Sequence, residues 1–191
     1  MAIKAIIFDC FGVLVLSGRA NMYQDYPMFH AEMDDLERQM DYGMASRQQF
    51  NDSIAELTGL SFDQIERRYW SIYARNESVI DWANQLKVSG EYKVGVLSNV
   101  GRGFISEFLP EINDLFDSVI LSSSVGMIKP DPSIFELAAK QLNVSTYECV
   151  MIDDLPSNIS AAQLSGMKGI VFGSLHQAKS DMRELLELPN A

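Results

Sequence analysis

The chain has 191 residues, of which 47% are hydrophobic and 21% charged, and its formal net charge is −11. This length suits one well-packed core with at most a small inserted module, and no apolar run approaches the ~20 residues that a membrane-spanning helix needs. The acidic balance disfavours nucleic acid as a partner, because its phosphates require a basic protein face. It permits a small phosphorylated substrate, since a bound divalent cation inverts the local field.

The N-terminal stretch MAIKAIIFDC holds a short apolar run that ends in an acid. It is typical of a buried strand rather than of a signal peptide, so we expect a cytoplasmic protein without a membrane partner. Cys10 and Cys149 both lie in apolar segments, as reduced core thiols do. Two such thiols indicate neither a disulfide framework nor a thiolate metal site.

Five apolar, β-branched runs predict buried strands. In chain order they are KAIIFD, YKVGVLSN, DSVILSS, ECVMIDD and KGIVF. Runs without polar alternation are typical of strands covered on both faces, as in a parallel sheet. Amphipathic segments between and after them predict helices at 103–115, 132–142, 157–165 and 176–187. The alternation of strand and helix predicts an α/β fold with a doubly wound parallel sheet.

The stretch from about 16 to 77 interrupts this alternation. It is rich in Met, aromatic and acidic residues at three- and four-residue spacing and has no convincing buried strand. We therefore expect a small helical insertion after the first strand, in which a turn at Gly43 and an N-cap at Ser46 introduce one helix. We interpret its Met and aromatic residues as packing of a helical bundle rather than as a cofactor site.

Six polar residues stand at or just beyond strand ends, where an open α/β sheet binds its ligands. They are Asp9, Ser98, Asn99, Lys129, Asp153 and Asp154. Each alone is also a common turn or loop residue. Together they would form one pocket with three carboxylates, an amine and a hydroxyl. Mg²⁺ is the usual partner of crowded carboxylates, and the amine and hydroxyl beside it would hold a phosphoryl group, leaving Asp9 as the nucleophile.

The segments around these residues resemble the four motifs of the haloacid dehalogenase-like hydrolase superfamily. In order they are IIFDCFGVL, VGVLSN, GMIKPDPSIFELA and VMIDDLPSN. The last two are similar to phosphatases related to the N-terminal domain of soluble epoxide hydrolase and to bacterial sugar phosphatases. The resemblance implies a Rossmann-like core formed by 1–15 and 78–191. It also implies that 16–77 forms the small helical C1 cap of that family.

The resemblance further implies a Mg²⁺-dependent phosphohydrolase that acts on a small phosphorylated molecule. Asp9 would attack phosphorus and form an aspartyl-phosphate. Ser98 and Lys129 would hold the transferring group, and Asn99 would either contact it or shape the loop.

The metal site implied by the resemblance is formed by carboxylates and one backbone group. Mg²⁺ would be bound by Asp9, Asp154 and the backbone carbonyl of Phe11. Asp153 would act through a bound water or by contacting the residues that bind the metal. Asn158 is expected to stabilise the turn after the fourth strand.

Phe11 departs from the family pattern, because most phosphatases of this family carry there an Asp that moves protons to and from the reacting groups. Three interpretations stay open. The protein is a slow phosphohydrolase, or one restricted to leaving groups that need no proton, such as acyl or activated aryl phosphates. It is a metal-independent 2-haloacid dehalogenase, whose motif FDxYGT also has an aromatic residue at this place. Or it binds a phosphorylated ligand or a partner without turnover.

The pair Asp153 and Asp154 favours the phosphohydrolase, since uncompensated carboxylates would repel the carboxylate of a haloacid. Arg19 is expected to contact substrate, and in the dehalogenase interpretation it would hold that carboxylate. Tyr23 and His30 also follow the nucleophile loop. His30 is a candidate for the missing acid, although a lone histidine in such a segment is more often packed or solvated.

Overall fold

The protein is described here by a computed structural model that covers residues 2–16, 19–70, 73–101 and 103–187, with the backbone alone at 19–21 and 187. Its strands are β1 (Ala5–Phe8), β2 (Val15–Leu16), β3 (Ala74–Arg75), β4 (Lys93–Ser98), β5 (Ser118–Leu121), β6 (Cys149–Asp153) and β7 (Lys168–Val171). Five of them form one parallel sheet in the order β5-β4-β1-β6-β7. The five apolar runs of the sequence are therefore the five strands of this sheet.

Helices connect the strands. They are α1 (Arg19–Asp25), α2 (His30–Asp41), α3 (Arg47–Thr58), α4 (Phe62–Ile65), α5 (Glu77–Ser89), α6 (Ile105–Phe108), α7 (Ile112–Leu115), α8 (Ser122–Val125), α9 (Pro132–Gln141), α10 (Pro156–Leu164) and α11 (Leu175–Glu187). Short 3₁₀ turns span Pro27–Phe29 and Thr146–Glu148, and a π-helical turn spans Glu66–Trp70. No helix within these described ranges is both long and apolar enough to cross a bilayer.

Strand β1 shows why the sheet is covered on both faces. Successive side chains of a strand point to opposite faces, and all four residues of β1 are buried. Ile6 and Phe8 pack in one hydrophobic cluster with residues of α5 and α11. Ala5 and Ile7 pack in another with residues of α9 and α10. The predicted doubly wound α/β fold is confirmed.

The helices between β2 and β3 bury a third hydrophobic cluster. It contains Met33, Phe50 and Trp70, together with Val100 and Phe104 from the segment that follows β4. Strands β2 and β3 pair antiparallel where the chain leaves the sheet region and returns to it. These contacts are consistent with a cap at 16–77 on a core of 1–15 and 78–191, and that division stays a prediction.

Helix α3 begins as the sequence predicts. The Ser46 hydroxyl accepts a hydrogen bond from the backbone N–H of Gln49, and the Gln49 side chain accepts one from the backbone N–H of Ser46. This reciprocal capping box satisfies two donors that the first helical turn leaves unpaired. Gly43, before it, has a φ of 72°, in the left-handed region that glycine tolerates.

The prediction of a single helix at 103–115 is wrong. The structure has α6 and α7 instead, separated at Leu109. Pro110 explains the break, because its ring disfavours a helical backbone in the preceding residue, and Leu109 has φ −133° and ψ 67°. The other three predicted helices match α9, α10 and α11 to within one residue at each end.

Candidate active site

Strand order brings the polar strand ends together. β1 lies between β4 and β6, so their carboxyl ends are neighbours at the edge where open α/β sheets bind ligands. Asp9 directly follows β1, Ser98 ends β4 and Asp153 ends β6. The backbone N–H of Asp9 donates to the carbonyl of Ile152 at 2.8 Å, which fixes the nucleophile loop against β6.

Lys129 links two of these carboxylates. Its Nζ lies 2.8 Å from Oδ1 of Asp9 and 2.6 Å from Oδ2 of Asp153, and it is 3% exposed. Burial alone lowers the pKa of an ammonium, but Asp9 and Asp153 outweigh it and raise the pKa of Lys129. Burial, together with the charges of Asp153 and Asp154, raises the pKa of Asp9 to about 7, although the attraction of Lys129 opposes that rise. Lys129 therefore stays charged and limits the rise in the pKa of Asp9 without cancelling it.

Asp153 is held from three sides and is fully buried. Besides Lys129, it accepts hydrogen bonds from Nδ2 of Asn158 at 3.0 and 3.1 Å and from the backbone N–H of Leu155 at 2.9 Å. This network supports the expected structural role of Asn158. It leaves Asp154, which is less buried and lines a cleft, as the more accessible carboxylate of the pair.

Asp9, Asp153 and Asp154 each offer one carboxylate oxygen, and these three oxygens lie within 4.8 Å of one another. Hard oxygen donors at this density suit Mg²⁺, which is bound in proteins through carboxylates and substrate phosphate oxygens. Gly12 makes room for the cluster, since a Cβ there would lie 2.3 Å from Oδ2 of Asp154. The donor set therefore fits the metal that the sequence predicts. The role of the Phe11 carbonyl as a further ligand stays a prediction.

Ser98 and Asn99 occupy different settings. Ser98 Oγ is buried and has no hydrogen-bond partner among the described residues, a condition that usually signals a missing ligand or solvent partner. Asn99 donates from Nδ2 to the carbonyl of Lys129 and accepts the backbone N–H of Lys129 at Oδ1, each at 2.8 Å. These bonds occupy both ends of its amide, so the loop-shaping role is favoured over contact with a phosphoryl group.

A cleft of about 1200 Å³ runs from Asp9, Lys129 and Asp154 to the helices that follow β2. Phe11 lies on its wall and packs against Tyr73 and Phe104, with ring centroids 5.5 and 5.4 Å away. The residue that replaces the usual proton carrier is thus the start of an aromatic surface beside the nucleophile.

Several residues that line the cleft were not predicted from the sequence, and two of them, Glu37 and Arg47, are charged and partly or fully buried. Glu37 lines the cleft although it is 6% exposed, and it accepts a hydrogen bond from the Tyr69 hydroxyl. Its signal in the sequence is a carboxylate on the apolar stripe of α2, between Met33 and Met40.

Arg47 also lines the cleft, at the start of α3. It lies 4.4 Å over the ring of Trp70 and pairs with Glu66 at 2.5 Å and with Glu107 at 2.9 Å. Nothing in its sequence neighbourhood predicts this position.

The predicted substrate contacts in the insertion have mixed outcomes. The Arg19 side chain lies outside the described part of the chain. Tyr23 lines the cleft, and its hydroxyl donates to Asp34 at 2.7 Å. His30 is exposed, is absent from the cleft wall and places Nε2 2.6 Å from the Tyr23 carbonyl. It is therefore not positioned to replace the missing acid.

Comparison with known proteins places the chain among hydrolases. A family model described as haloacid dehalogenase-like hydrolase matches residues 3–166. A phosphatase of Mycobacterium tuberculosis is 26% identical over 98% of this chain and 96% of its own length. The Arabidopsis thaliana protein SUPPRESSOR OF QUENCHING 1 is 30% identical over 88% of this chain, which spans only 18% of that protein.

A similar fold occurs in a solved structure. A HAD family enzyme of Bacteroides thetaiotaomicron, crystallised as a magnesium complex, aligns with a TM-score of 0.78 and 24% identity over 96% of this chain and 100% of its own. At this identity the likeness establishes the shared fold.

Proposed function

The chain belongs to the haloacid dehalogenase-like hydrolase family, and on that premise we propose that it is a Mg²⁺-dependent phosphohydrolase acting on a small phosphorylated molecule. The three-carboxylate cluster of Asp9, Asp153 and Asp154, with Lys129 between two of them, carries this proposal. The phosphatase among its relatives and the magnesium complex of the Bacteroides enzyme lend support.

The cluster suits phosphate better than it suits a haloacid. A substrate carboxylate would enter a site that already holds three carboxylates and one buried ammonium, and like charges at such distances repel. A bound divalent cation neutralises the carboxylates and the phosphoryl oxygens together. In this proposal Asp154 binds the cation, whereas a metal-independent dehalogenase would not need this carboxylate.

The residues of the site divide the proposed reaction among them. An oxygen of Asp9 attacks phosphorus and forms an aspartyl-phosphate. Lys129 orients Asp9 through the 2.8 Å contact and stabilises charge on the transferring group. Ser98, whose hydroxyl is unpartnered, donates to a phosphoryl oxygen. Asp153 holds Lys129 in place, and Asp9 and Asp154 hold the metal.

In this proposal Phe11 lowers the rate of phosphate ester hydrolysis. General acid and base assistance is worth typically ~10²–10⁴-fold, and a phenyl ring supplies neither. An alkoxide leaving group therefore departs slowly, and the water that cleaves the aspartyl-phosphate is not activated from position 11. We propose a slow enzyme that favours leaving groups able to depart without a proton.

The test is a screen of the purified protein with p-nitrophenyl phosphate, acetyl phosphate and 2-chloropropionate, each in Mg²⁺ and in EDTA. We expect metal-dependent release of phosphate from the first two and no chloride from the third. Chloride release in EDTA would establish the dehalogenase instead. If none of the three compounds gives a product, the remaining interpretation is a protein that binds a ligand without turnover.

A further inference from the structure

The cleft beside the nucleophile has an aromatic wall, which we define as Phe11, Trp70, Tyr73 and Phe104. All four residues line the cleft, and their rings form a continuous contact surface. Phe104 lies 4.8 Å from Trp70 and 5.2 Å from Tyr73 between ring centroids. Phe11 and Tyr73 are only partly buried, so the wall presents ring surface to the cleft two residues from Asp9.

The charges around this wall are mostly negative. Among the described residues that line the cleft, the carboxylates are Asp9, Glu37, Asp41, Glu107 and Asp154, and the cations are Arg47 and Lys129. Both cations already contact carboxylates, Arg47 through Glu66 and Glu107. With Asp9 and Asp154 neutralised by the proposed metal, the remaining carboxylates of the described lining still outnumber Arg47. A second anionic group on the substrate would thus meet repulsion there, whereas an uncharged ring would not.

Phe11, which belongs to this wall, also restricts which leaving group the reaction can release. Phe11 supplies no proton, so the leaving oxygen receives none from the position that provides it in most phosphatases of the family. A phenolate departs without a proton far better than an alkoxide, because the ring delocalises the charge. Flat aromatic surfaces also pack well against aromatic rings in edge or offset arrangements.

We propose that the substrates are aryl phosphate monoesters whose ring carries no further negative charge and lies against the aromatic wall. The inference rests on the proposed phosphohydrolase function and names its substrate class. An Asp9 oxygen bonds to phosphorus as the bond from phosphorus to the aryl oxygen breaks. The electron pair leaves on the phenolate, which takes a proton from water. Water then attacks phosphorus, which releases inorganic phosphate and restores the Asp9 carboxylate.

Binding of phosphonates tests ring recognition without turnover. Benzylphosphonate resembles phenyl phosphate but has a methylene in place of the ester oxygen, so the ring is not displaced. Calorimetry of the wild-type protein in Mg²⁺ should show that benzylphosphonate binds about tenfold to a hundredfold more tightly than ethylphosphonate, because the ring buries apolar area. Equal affinities would overturn the inference.

Two further ligands separate the alternatives. Hexylphosphonate offers a flexible aliphatic chain, and equal or tighter binding than benzylphosphonate would overturn the aryl assignment in favour of an aliphatic tail. 4-Carboxybenzylphosphonate adds one negative charge, and we expect weaker binding than that of benzylphosphonate. Tighter binding would overturn the requirement for an uncharged ring and would direct attention to Arg19 and Arg102, whose side chains lie outside the described part of the chain.

A matched pair of variants tests the wall itself. Tyr73→Leu should reduce the preference for benzylphosphonate over ethylphosphonate several-fold, since it replaces a ring of the wall. Phe62→Leu makes the same kind of change at an exposed ring that is absent from the cleft lining, and it should leave the preference unchanged. An unchanged preference in Tyr73→Leu, with folding verified by circular dichroism, would overturn the assignment of the wall.

The two proposals fail in different ways. Selective binding of benzylphosphonate without turnover of phenyl phosphate would contradict the phosphohydrolase and keep ring recognition. Metal-dependent turnover without selectivity among the phosphonates would keep the phosphohydrolase and contradict the substrate class.

Discussion

Phe11 and Asp9 lie two residues apart in one loop, and they set opposite limits on the reaction. Asp9 is buried and paired with Lys129, a contact that orients the nucleophile and opposes the rise in its pKa that burial causes. Phe11 packs into an aromatic wall where the family usually has a proton carrier. The proposed first step is therefore supported by its neighbours, and proton transfer is not.

Restoring the carboxylate at position 11 should raise turnover. Phe11→Asp should increase kcat for a simple alkyl phosphate in Mg²⁺, by up to ~10²-fold, because a proton donor and acceptor returns to the leaving oxygen and the attacking water. Phe11→Asn is the control, since it has nearly the same shape and does not transfer protons at neutral pH. Steady-state phosphate release measures both. An equal gain in both variants would show that relief of crowding, not proton transfer, causes the increase.

An activated aryl ester should reveal which step Phe11 slows. p-Nitrophenolate leaves without a proton, so attack by Asp9 is fast and hydrolysis of the aspartyl-phosphate limits the rate. Stopped-flow absorbance should show a burst close to one nitrophenolate per protein, followed by a slow steady state. Asp9→Asn should show no burst. Linear release from time zero in the wild type would place the slow step at the attack on phosphorus.

At the scale of elements, the loop after β1 links backbone conformation to the metal site. Gly12 has a φ of +88°, a region that side-chain-bearing residues rarely adopt, and a Cβ there would meet the Asp154 carboxylate. The loop therefore requires glycine at position 12 for two separate reasons. The backbone has a positive φ, and the Asp154 carboxylate occupies the place of a Cβ.

Gly12→Ala should separate these two effects when it is compared with Gly59→Ala. Gly59 has a similar φ of +73°, and a Cβ there would meet nothing within 4 Å. Both variants should lose stability by about 1 kcal/mol or more in urea unfolding, because alanine is strained at positive φ. Only Gly12→Ala should also weaken Mg²⁺ binding by calorimetry. Unaltered Mg²⁺ affinity in Gly12→Ala would contradict the direct contact with Asp154.

Local patterns located the strands of the large sheet and several helices, and the one predicted helix that is wrong has a local cause. Buried apolar runs and amphipathic segments gave every strand of the large sheet and the helices α9, α10 and α11. The break between α6 and α7 follows from Pro110, whose effect on Leu109 was readable in the sequence. The amphipathic pattern across 103–115 continues through this break and does not reveal it.

At the scale of the whole molecule, the proposed Mg²⁺ site would make the free energy of unfolding depend on the metal. Asp9, Asp153 and Asp154 place three carboxylate oxygens within 4.8 Å of one another, and a cation that binds only the folded state shifts the unfolding equilibrium. Folding and metal binding are then thermodynamically coupled.

Mg²⁺ at a hundredfold excess over Kd should stabilise the fold by about 2.7 kcal/mol, which corresponds to a rise in Tm of roughly 5–10 °C for a chain of this size. Scanning calorimetry in Mg²⁺ and in EDTA measures the rise. Asp154→Asn should abolish it, and Asp52→Asn, at an exposed position on α3, should retain it. An undiminished rise in Asp154→Asn would exclude Asp154 as a ligand.

The sequence by itself determined the five strands of the large sheet, the helices α3, α9, α10 and α11, and the identity of the polar residues at the strand ends, because these depend on local hydrophobic pattern and on motif residues. The tertiary structure decided which of them meet. The order β4-β1-β6 makes the ends of the strands that carry Asp9 and Asp153 neighbours, and the packing of the loop before α9 brings Lys129 against both. The same loop engages both ends of the Asn99 amide. The packing of the helices between β2 and β3 leaves His30 outside the cleft. The aromatic wall joins residues 11, 70, 73 and 104. Some of these residues are far apart in the sequence, so no local pattern predicts their contacts and only the packing of the chain produces them.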